Sequence, residues 1–181
     1  MNWVKLALLL FIGTLLVPLS SHAETAGDFL DLTYQSNSYT PPFYKGKSLP
    51  SSETRVTIIA TPTVTLKNKR TAKISDLTFT WEKNGLILGP QSGVGRNTIL
   101  IKNERLPGDS TLIKVTARAA DGTNVSKNIS IPSVRPSILI YENDPLLGVR
   151  LEKITGTKQT VSQPEISLVA YPVHFETVFR N

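Results

Sequence analysis

Apolar and polar residues alternate with a period of two along much of the chain. In Arg55 to Thr63, Val56, Ile58 and Ala60 fall on one side and Thr57, Ile59 and Thr61 on the other. In Asp76 to Glu82, Leu77, Phe79 and Trp81 oppose Thr78, Thr80 and Glu82. Thr111 to Arg118 sets Ile113, Val115 and Ala117 against Lys114, Thr116 and Arg118, and Val125, Ile129 and Ile131 continue the pattern within Asn124 to Ile131. Successive side chains of a strand point to opposite faces, so each run offers one face to a core and one to water. Antiparallel sheets behave this way, and stacking two of them buries the apolar faces. Phe79, Trp81 and Val115 are therefore predicted core residues.

The joints between runs agree. Asn84-Gly85 and Asp121-Gly122 suit turns that need positive φ and predict hairpins. Pro107-Gly108 predicts a further turn before the Thr111 run. No window after residue 23 holds a 3.6-residue period over three turns, and Thr, Val, Ile and Ser dominate. Short strands spaced by roughly 8 to 12 residues outline a sandwich. The predicted fold is all-β, with an antiparallel β-sandwich over residues 24–132.

Between Leu32 and Pro50 the pattern loosens. Adjacent Pro41 and Pro42 remove two backbone donors and restrict their neighbours, which excludes a regular central strand there. Tyr39, Phe43 and Tyr44 thus sit in a predicted loop. Either the loop lays its rings on the sandwich edge, or it forms an aromatic contact surface for a glycan or a partner protein.

A boundary is predicted at Pro132 to Pro136, before a new run at Ser137 to Glu142. The residues beyond this boundary echo the earlier chain. Leu32-Thr33-Tyr34 is matched by Leu139-Ile140-Tyr141, and Arg55 to Pro62 by Glu165 to Pro172. Residues 137–181 are read as a partial second β-rich unit, a possible repeat of the start of the first. A unit of about 45 residues without metal or disulfide hardly folds alone, so it must pack on the first unit or on a partner.

The start of the chain follows a different rule. Lys5 precedes an apolar run from Leu6 to Val17, Pro18 ends it, and Ser21 and Ala23 are small residues placed for cleavage before Glu24. These are the parts of a secretory signal peptide over 1–23, and the run is shorter than the roughly 20 residues of a membrane span. Retention as an anchor is the alternative. No later stretch is apolar enough to cross a bilayer. The expected location is therefore secreted, periplasmic or cell-surface.

Composition narrows the chemistry. The chain has no cysteine, which excludes disulfides, thiolate metal sites and a thiol nucleophile. The net charge is +6, but basic residues are dispersed and only Lys67, Lys69 and Arg70 cluster. Nucleic-acid binding asks for a basic stripe with interleaved aromatics, so no nucleic acid is expected. A solvated loop accounts for the cluster, with attraction to an anionic surface polymer as the alternative.

The run Thr80-Trp81-Glu82-Lys83-Asn84-Gly85, followed by Val115 to Gly122, resembles the immunoglobulin-like or PKD-like domains of bacterial surface proteins. The resemblance implies that Trp81 is the core tryptophan of the third strand and that Val115 lies on a late strand. A PKD domain would carry a Gly-Asp-Gly run after its tryptophan. Here it is Asn84-Gly85-Leu86, so immunoglobulin-like is the better label. Tyr39 to Lys47 and Tyr141 to Gly148 are similar to segments of exported proteins from small-genome, uncultured bacteria. That likeness implies an extracytoplasmic β-rich protein and brings no catalytic residue with it.

Candidate sites are few. His174 is the only histidine after residue 23 and has no evident partner in sequence, so an edge or surface role is expected rather than catalysis. One histidine without cysteine does not make a zinc site. Glu142 and Asp144 fall short of a calcium motif and suit a capped turn. Gly89, Gly93 and Gly95 lack the residues that complete a phosphate cradle. Asn124 and Asn128 begin formal glycosylation sequons. No catalytic, cofactor or metal residue is assigned. The expected function is a non-enzymatic structural or protein-binding module of the cell envelope, with an envelope protein or a glycan as partner. The alternatives are a carbohydrate-binding module on Tyr39, Phe43, Tyr44 and Tyr171, or self-association by strand addition at an open sheet edge.

Overall fold

A computed structural model describes residues 28–154 and 165–177. The leader expected over 1–23 lies outside the described residues, as do the last four positions. The described strands are β1 (Phe29–Ser36), β2 (Ser38–Tyr39), β3 (Arg55–Thr63), β4 (Thr78–Lys83), β5 (Leu86–Ile87), β6 (Gly93–Val94), β7 (Thr98–Lys102), β8 (Ser110–Arg118), β9 (Asn124–Pro132), β10 (Ser137–Asp144), β11 (Gly148–Ile154), β12 (Leu168–Val173) and β13 (Phe175–Glu176). Two 3-10 turns, Ile74–Asp76 and Gly89–Gln91, are the helical structure among these residues. The protein is all-β.

Two antiparallel sheets form the sandwich. One has the order β1-β3-β7, and the other β5-β4-β8-β9 with β6 beside β4. The short edge strand β5 lies next to β4, across the core from the β1-β3-β7 sheet. Inward side chains from both sheets meet in one buried cluster. Leu30, Leu32, Val56, Ile58, Ala60, Ile99 and Ile101 face Phe79, Trp81, Ile113, Val115, Ala117 and Ile131. Phe79, Trp81 and Val115 are fully buried. Full burial of a large side chain contributes about 1.5–3 kcal/mol, which makes this cluster the main stabilising feature. Trp81 carries a polar edge into it, and its indole N–H donates to the Arg96 carbonyl at 2.8 Å. A buried indole needs such an acceptor.

Local chemistry sets the connections. Lys83 pairs with Leu86, so Asn84 and Gly85 form a two-residue hairpin with both φ values positive, 51° and 82°. Arg118 pairs with Asn124 across the Asp121-Gly122 turn, where Gly122 has φ 92°. On β9, Lys127 occupies an inward register position opposite Val115. β9 is an edge strand, so the side chain reaches out to Asp31 at 3.2 Å. A lysine turned inward on an edge also discourages further strand pairing.

The register divides the loops between two ends of the sandwich. Ser36↔Val56, Arg55↔Lys102 and Ser110↔Pro132 lie at one end. Phe29↔Thr63, Thr78↔Arg118 and Arg118↔Asn124 lie at the other. The chain leaves the first end after β9 and builds a terminal sheet of order β11-β10-β12. β13 then returns to pair with β2 through Phe175↔Tyr39 and Glu176↔Ser38.

The link between sandwich and terminal sheet is hydrogen-bonded. Ser51 bridges Val134 in parallel, and the Val134 N–H donates to the Pro50 carbonyl at 2.9 Å. Buried Asn103 donates from Nδ2 to the Ser51 carbonyl (2.9 Å) and to Ser133 Oγ (3.0 Å). The segments whose sequences echo one another pair alike: β1 with β3, and β10 with β12, both antiparallel. Their registers differ by one residue. Tyr34 lies opposite Ile58, whereas Tyr141 lies opposite Val169 and not opposite Leu168, the counterpart of Ile58.

Candidate functional site

The Pro41-Pro42 loop does not lay its aromatics on the sandwich edge. It carries Phe43 to the terminal sheet. Phe43 meets Tyr171 edge-to-face with ring centroids 4.8 Å apart, and meets Tyr141 at 5.7 Å. Tyr141 and Tyr171 lie 5.9 Å from each other. The interplanar angles of Phe43 with these two rings are 89° and 84°. Edge-to-face contact of this kind stabilises aromatic pairs beyond the area they bury. Tyr39 is on strand β2 opposite Phe175, and Tyr44 turns toward His174. Tyr39, Phe43, Tyr44 and Tyr171 are thus not coplanar. Phe43, Tyr44 and Tyr171 act within the fold as the junction between the sandwich and its terminal sheet. The same loop folds back on β1, where Lys47 Nζ sits 3.3 Å from the centroid of the Tyr34 ring, a cation–π contact.

His174 is not a surface residue. It is 7% exposed and joins β12 to β13 with φ at 61°. Its Nδ1 accepts the Leu49 N–H at 3.2 Å, and its Nε2 lies 3.3 Å from the Tyr44 hydroxyl. Its own N–H donates to the Tyr39 carbonyl at 2.7 Å. Burial lowers its pKa below the ordinary imidazole value. Sequence offered no sign of these partners, because Tyr44 and Leu49 are more than a hundred residues away.

The terminal sheet has two unlike faces. Leu139 pairs with Tyr171 and Tyr141 with Val169, so these side chains share the face that Phe43 covers. The opposite face carries Ile138 beside Pro172 and Ile140 beside Ala170, with Leu168 following beside Glu142. Ile138 is 57% exposed, and Ile140 and Leu168 are also exposed. At the β10–β11 hairpin tip, Leu146 and Leu147 are 93% and 76% exposed. Asp144 holds that tip, since its Oδ1 accepts the N–H groups of Leu146 (2.8 Å) and Leu147 (3.0 Å). These bonds lower the Asp144 pKa. The acid is therefore a turn cap, and the exposed leucine pair is what sequence reasoning passed over. Two adjacent apolar residues inside a turn were the available signal.

The sandwich surface is mostly polar but also exposes apolar side chains, among them Phe29, Leu86, Ile87, Val94 and Leu112. One outer face shows Thr33, Gln35, Thr57 and Thr61 around Ile59 and Leu100. The other shows rows such as Thr80–Thr116–Ser126 and Glu82–Lys114–Asn128.

The remaining candidates are dispersed. Lys67, Lys69 and Arg70 occupy a hairpin tip at the sandwich end far from the terminal sheet. Gly89, Gly93 and Gly95 lie in the loop and short strand that precede β7. Asn124 and Asn128 are exposed on β9. Among the described residues, no group of three or more His, Asp or Glu side chains is placed to hold a metal ion. No described helix is long and apolar enough to cross a membrane. No protein-family model, curated protein or solved structure matches the chain.

Proposed function

We propose that this protein is a non-enzymatic, extracytoplasmic binding module of the cell envelope that docks another protein on its terminal sheet. One observation carries the reading: the aliphatic face of Ile138, Ile140 and Leu168, with the Leu146-Leu147 tip, stands in solvent on a sheet clamped from behind by Phe43. Exposed apolar side chains gathered on one face of a sheet mark an interaction site. The partner is a protein with an apolar surface, because most of this face is uncharged and gains little from a polar or anionic ligand. Export is supported by the Lys5, Leu6-to-Val17, Ser21 and Ala23 pattern. A non-enzymatic role is supported by His174, whose two ring nitrogens both serve internal contacts. The order β1-β3-β7 over β5-β4-β8-β9 supports the immunoglobulin-like reading of the sandwich.

A second mode of docking has its own observation. β3 lies between β1 and β7, whereas β12 has β10 on one side and no strand on the other among the described residues. A strand from another chain added at β12 would complete the same three-strand pattern.

The test is capture from an envelope extract by wild type and by Leu146→Ser/Leu147→Ser and Ile138→Ser/Ile140→Thr variants. Capture of a defined partner that both double variants lose supports the reading. Capture unaffected by both, or none at all, overturns it. Light scattering at two concentrations tests strand addition between copies, which a strictly monomeric protein rules out. An N-terminus at Glu24 in the exported protein tests the leader.

A further inference from the structure

We infer that the sandwich end opposite the terminal sheet binds an acidic glycan chain, one bearing repeated carboxylate or phosphate groups, in a cleft between the β3–β4 connection and the β8–β9 turn. The cleft encloses about 530 Å³, within the range of sites that hold small ligands or a few units of a polymer. Lys67, Arg70 and Lys73 line it together with Leu66, Ala72 and Ala119.

The cationic side is built on a fixed hairpin. Thr65 bridges Thr71, Leu66 N–H donates to the Arg70 carbonyl, and Ala72 N–H donates to the Val64 carbonyl, the last two at 2.8 Å. Lys69 makes the tip with φ at 64°. The hairpin is also tied across the cleft, because the Lys67 N–H donates to Asp121 Oδ2 at 2.8 Å. Of the lining residues, Ala119 belongs to the core, and Leu66 and Ala72 pack against it.

The lining carries three cations, Lys67, Arg70 and Lys73, against two carboxylates, Asp76 and Asp121, which leaves a net of one positive charge (3 − 2). Asp121 uses Oδ2 for Lys67 N–H and Oδ1 for Thr123 N–H, and these bonds lower its pKa. Asp76 accepts the Ser75 hydroxyl at 2.8 Å. Ion pairs lie elsewhere on the sandwich, at Lys83–Glu104, Lys102–Glu53, Lys114–Glu82 and Lys127–Asp31. Lys67, Arg70 and Lys73 have no carboxylate within 4.0 Å among the described residues. An anionic chain would offset the excess positive charge of the cleft at Arg70 and Lys73, while its apolar ring faces lie against Leu66 and the alanines. A guanidinium suits bidentate contact with either carboxylate or phosphate. The choice of glycan over other polyanions rests on the extracytoplasmic reading, but the cleft itself does not depend on the docking face.

The experiment titrates the purified protein with polygalacturonate and with a polymer of N-acetylglucosamine 1-phosphate, which distinguish carboxylate from phosphodiester. Dextran, polyglutamate and single-stranded DNA serve as comparisons. The expected result is binding to at least one acidic glycan, with amide NMR shifts centred on residues 66–73 and 119–121. Raising salt from about 50 to about 200 mM should weaken it. Lys67→Ala/Arg70→Ala/Lys73→Ala should lower affinity by about tenfold or more, while Lys114→Ala/Lys127→Ala, at exposed cations elsewhere, changes it less than about twofold. Binding of neither glycan, equal loss in both variants, or equally tight binding of polyglutamate or DNA overturns the inference. Because the readout is the cleft and not the terminal sheet, failure here leaves the docking face untouched.

Discussion

His174 accepts the Leu49 N–H at its Nδ1, and that one contact assigns the imidazole tautomer. A neutral ring has a single N–H, so the proton sits on Nε2 and points to the Tyr44 hydroxyl. Protonating Nδ1 would set two donors against each other across 3.2 Å. Burial already holds the folded-state pKa below the ordinary value of about 6.5. In this range the unfolded chain takes up a proton more readily than the folded one, so stability is full above about pH 6.5 and falls below it until the folded pKa is passed. The loss can be no steeper than about 1.4 kcal/mol per pH unit for one group. Urea midpoints measured at pH 7.5 and 5.5 should drop on acidification, and His174→Gln should flatten that difference. Amide exchange at Leu49 should quicken first, because it loses its acceptor.

Phe43→Ala should loosen the terminal sheet more than the sandwich. Phe43 is half-buried and supplies one edge of every close ring contact it makes with Tyr141 and Tyr171. Removing a fully buried Phe costs about 3–5 kcal/mol, so a loss of about 1–3 kcal/mol is expected here. Hydrogen exchange should rise across β10 and β12 while β4 and β8 keep their protection. Equal loss in both regions would mean that the terminal sheet and the sandwich open as one unit.

The sandwich was legible because its strands speak locally. Alternation placed Phe79, Trp81 and Val115 inward, and the two positive-φ turns separated the strands around them. β7 was harder to read, since it is five residues long and carries Leu100 outward between inward Ile99 and Ile101. The junction was not legible at all. Nothing in the residues around Phe43 names Tyr141, 98 positions later, as its neighbour, because a ring contact requires no pattern at either end. His174 failed for the same reason: a lone histidine looks alike in solvent and against a backbone N–H. The acid at Asp144 could be read as a turn cap, yet the leucines it presents went unremarked beside it.

Asn103→Ala should destabilise the end of the sandwich that carries the terminal sheet. The Asn103 amide joins the Ser51 carbonyl to Ser133 Oγ, and all three residues are buried. Deleting the donor leaves the Ser51 carbonyl with one partner fewer, the Thr54 hydroxyl at 2.7 Å and the more distant Thr54 N–H at 3.3 Å remaining. A cost of about 1–3 kcal/mol is expected from loss of a buried donor. The urea midpoint should fall with an unchanged slope, since the surface exposed on unfolding is the same. Asn103→Asp should be worse, because a carboxylate cannot donate to either oxygen.

Trp81 can separate opening of the terminal sheet from collapse of the core. The chain has two tryptophans, Trp3 and Trp81, so a protein that begins at Glu24 reports from Trp81 alone. The indole is fully buried and its N–H is held by the Arg96 carbonyl. Its emission should therefore be blue-shifted in the folded protein and move red only when the sandwich unfolds. At pH 5.5, and in Phe43→Ala at pH 7.5, the emission maximum should stay in place in the absence of urea even as β10 and β12 exchange faster. Trp81→Phe should cost about 2–4 kcal/mol, combining a partly filled cavity with an unpaired Arg96 carbonyl. An early red shift in Phe43→Ala would show that Trp81 feels the junction, and that the terminal sheet is a structural member of the sandwich.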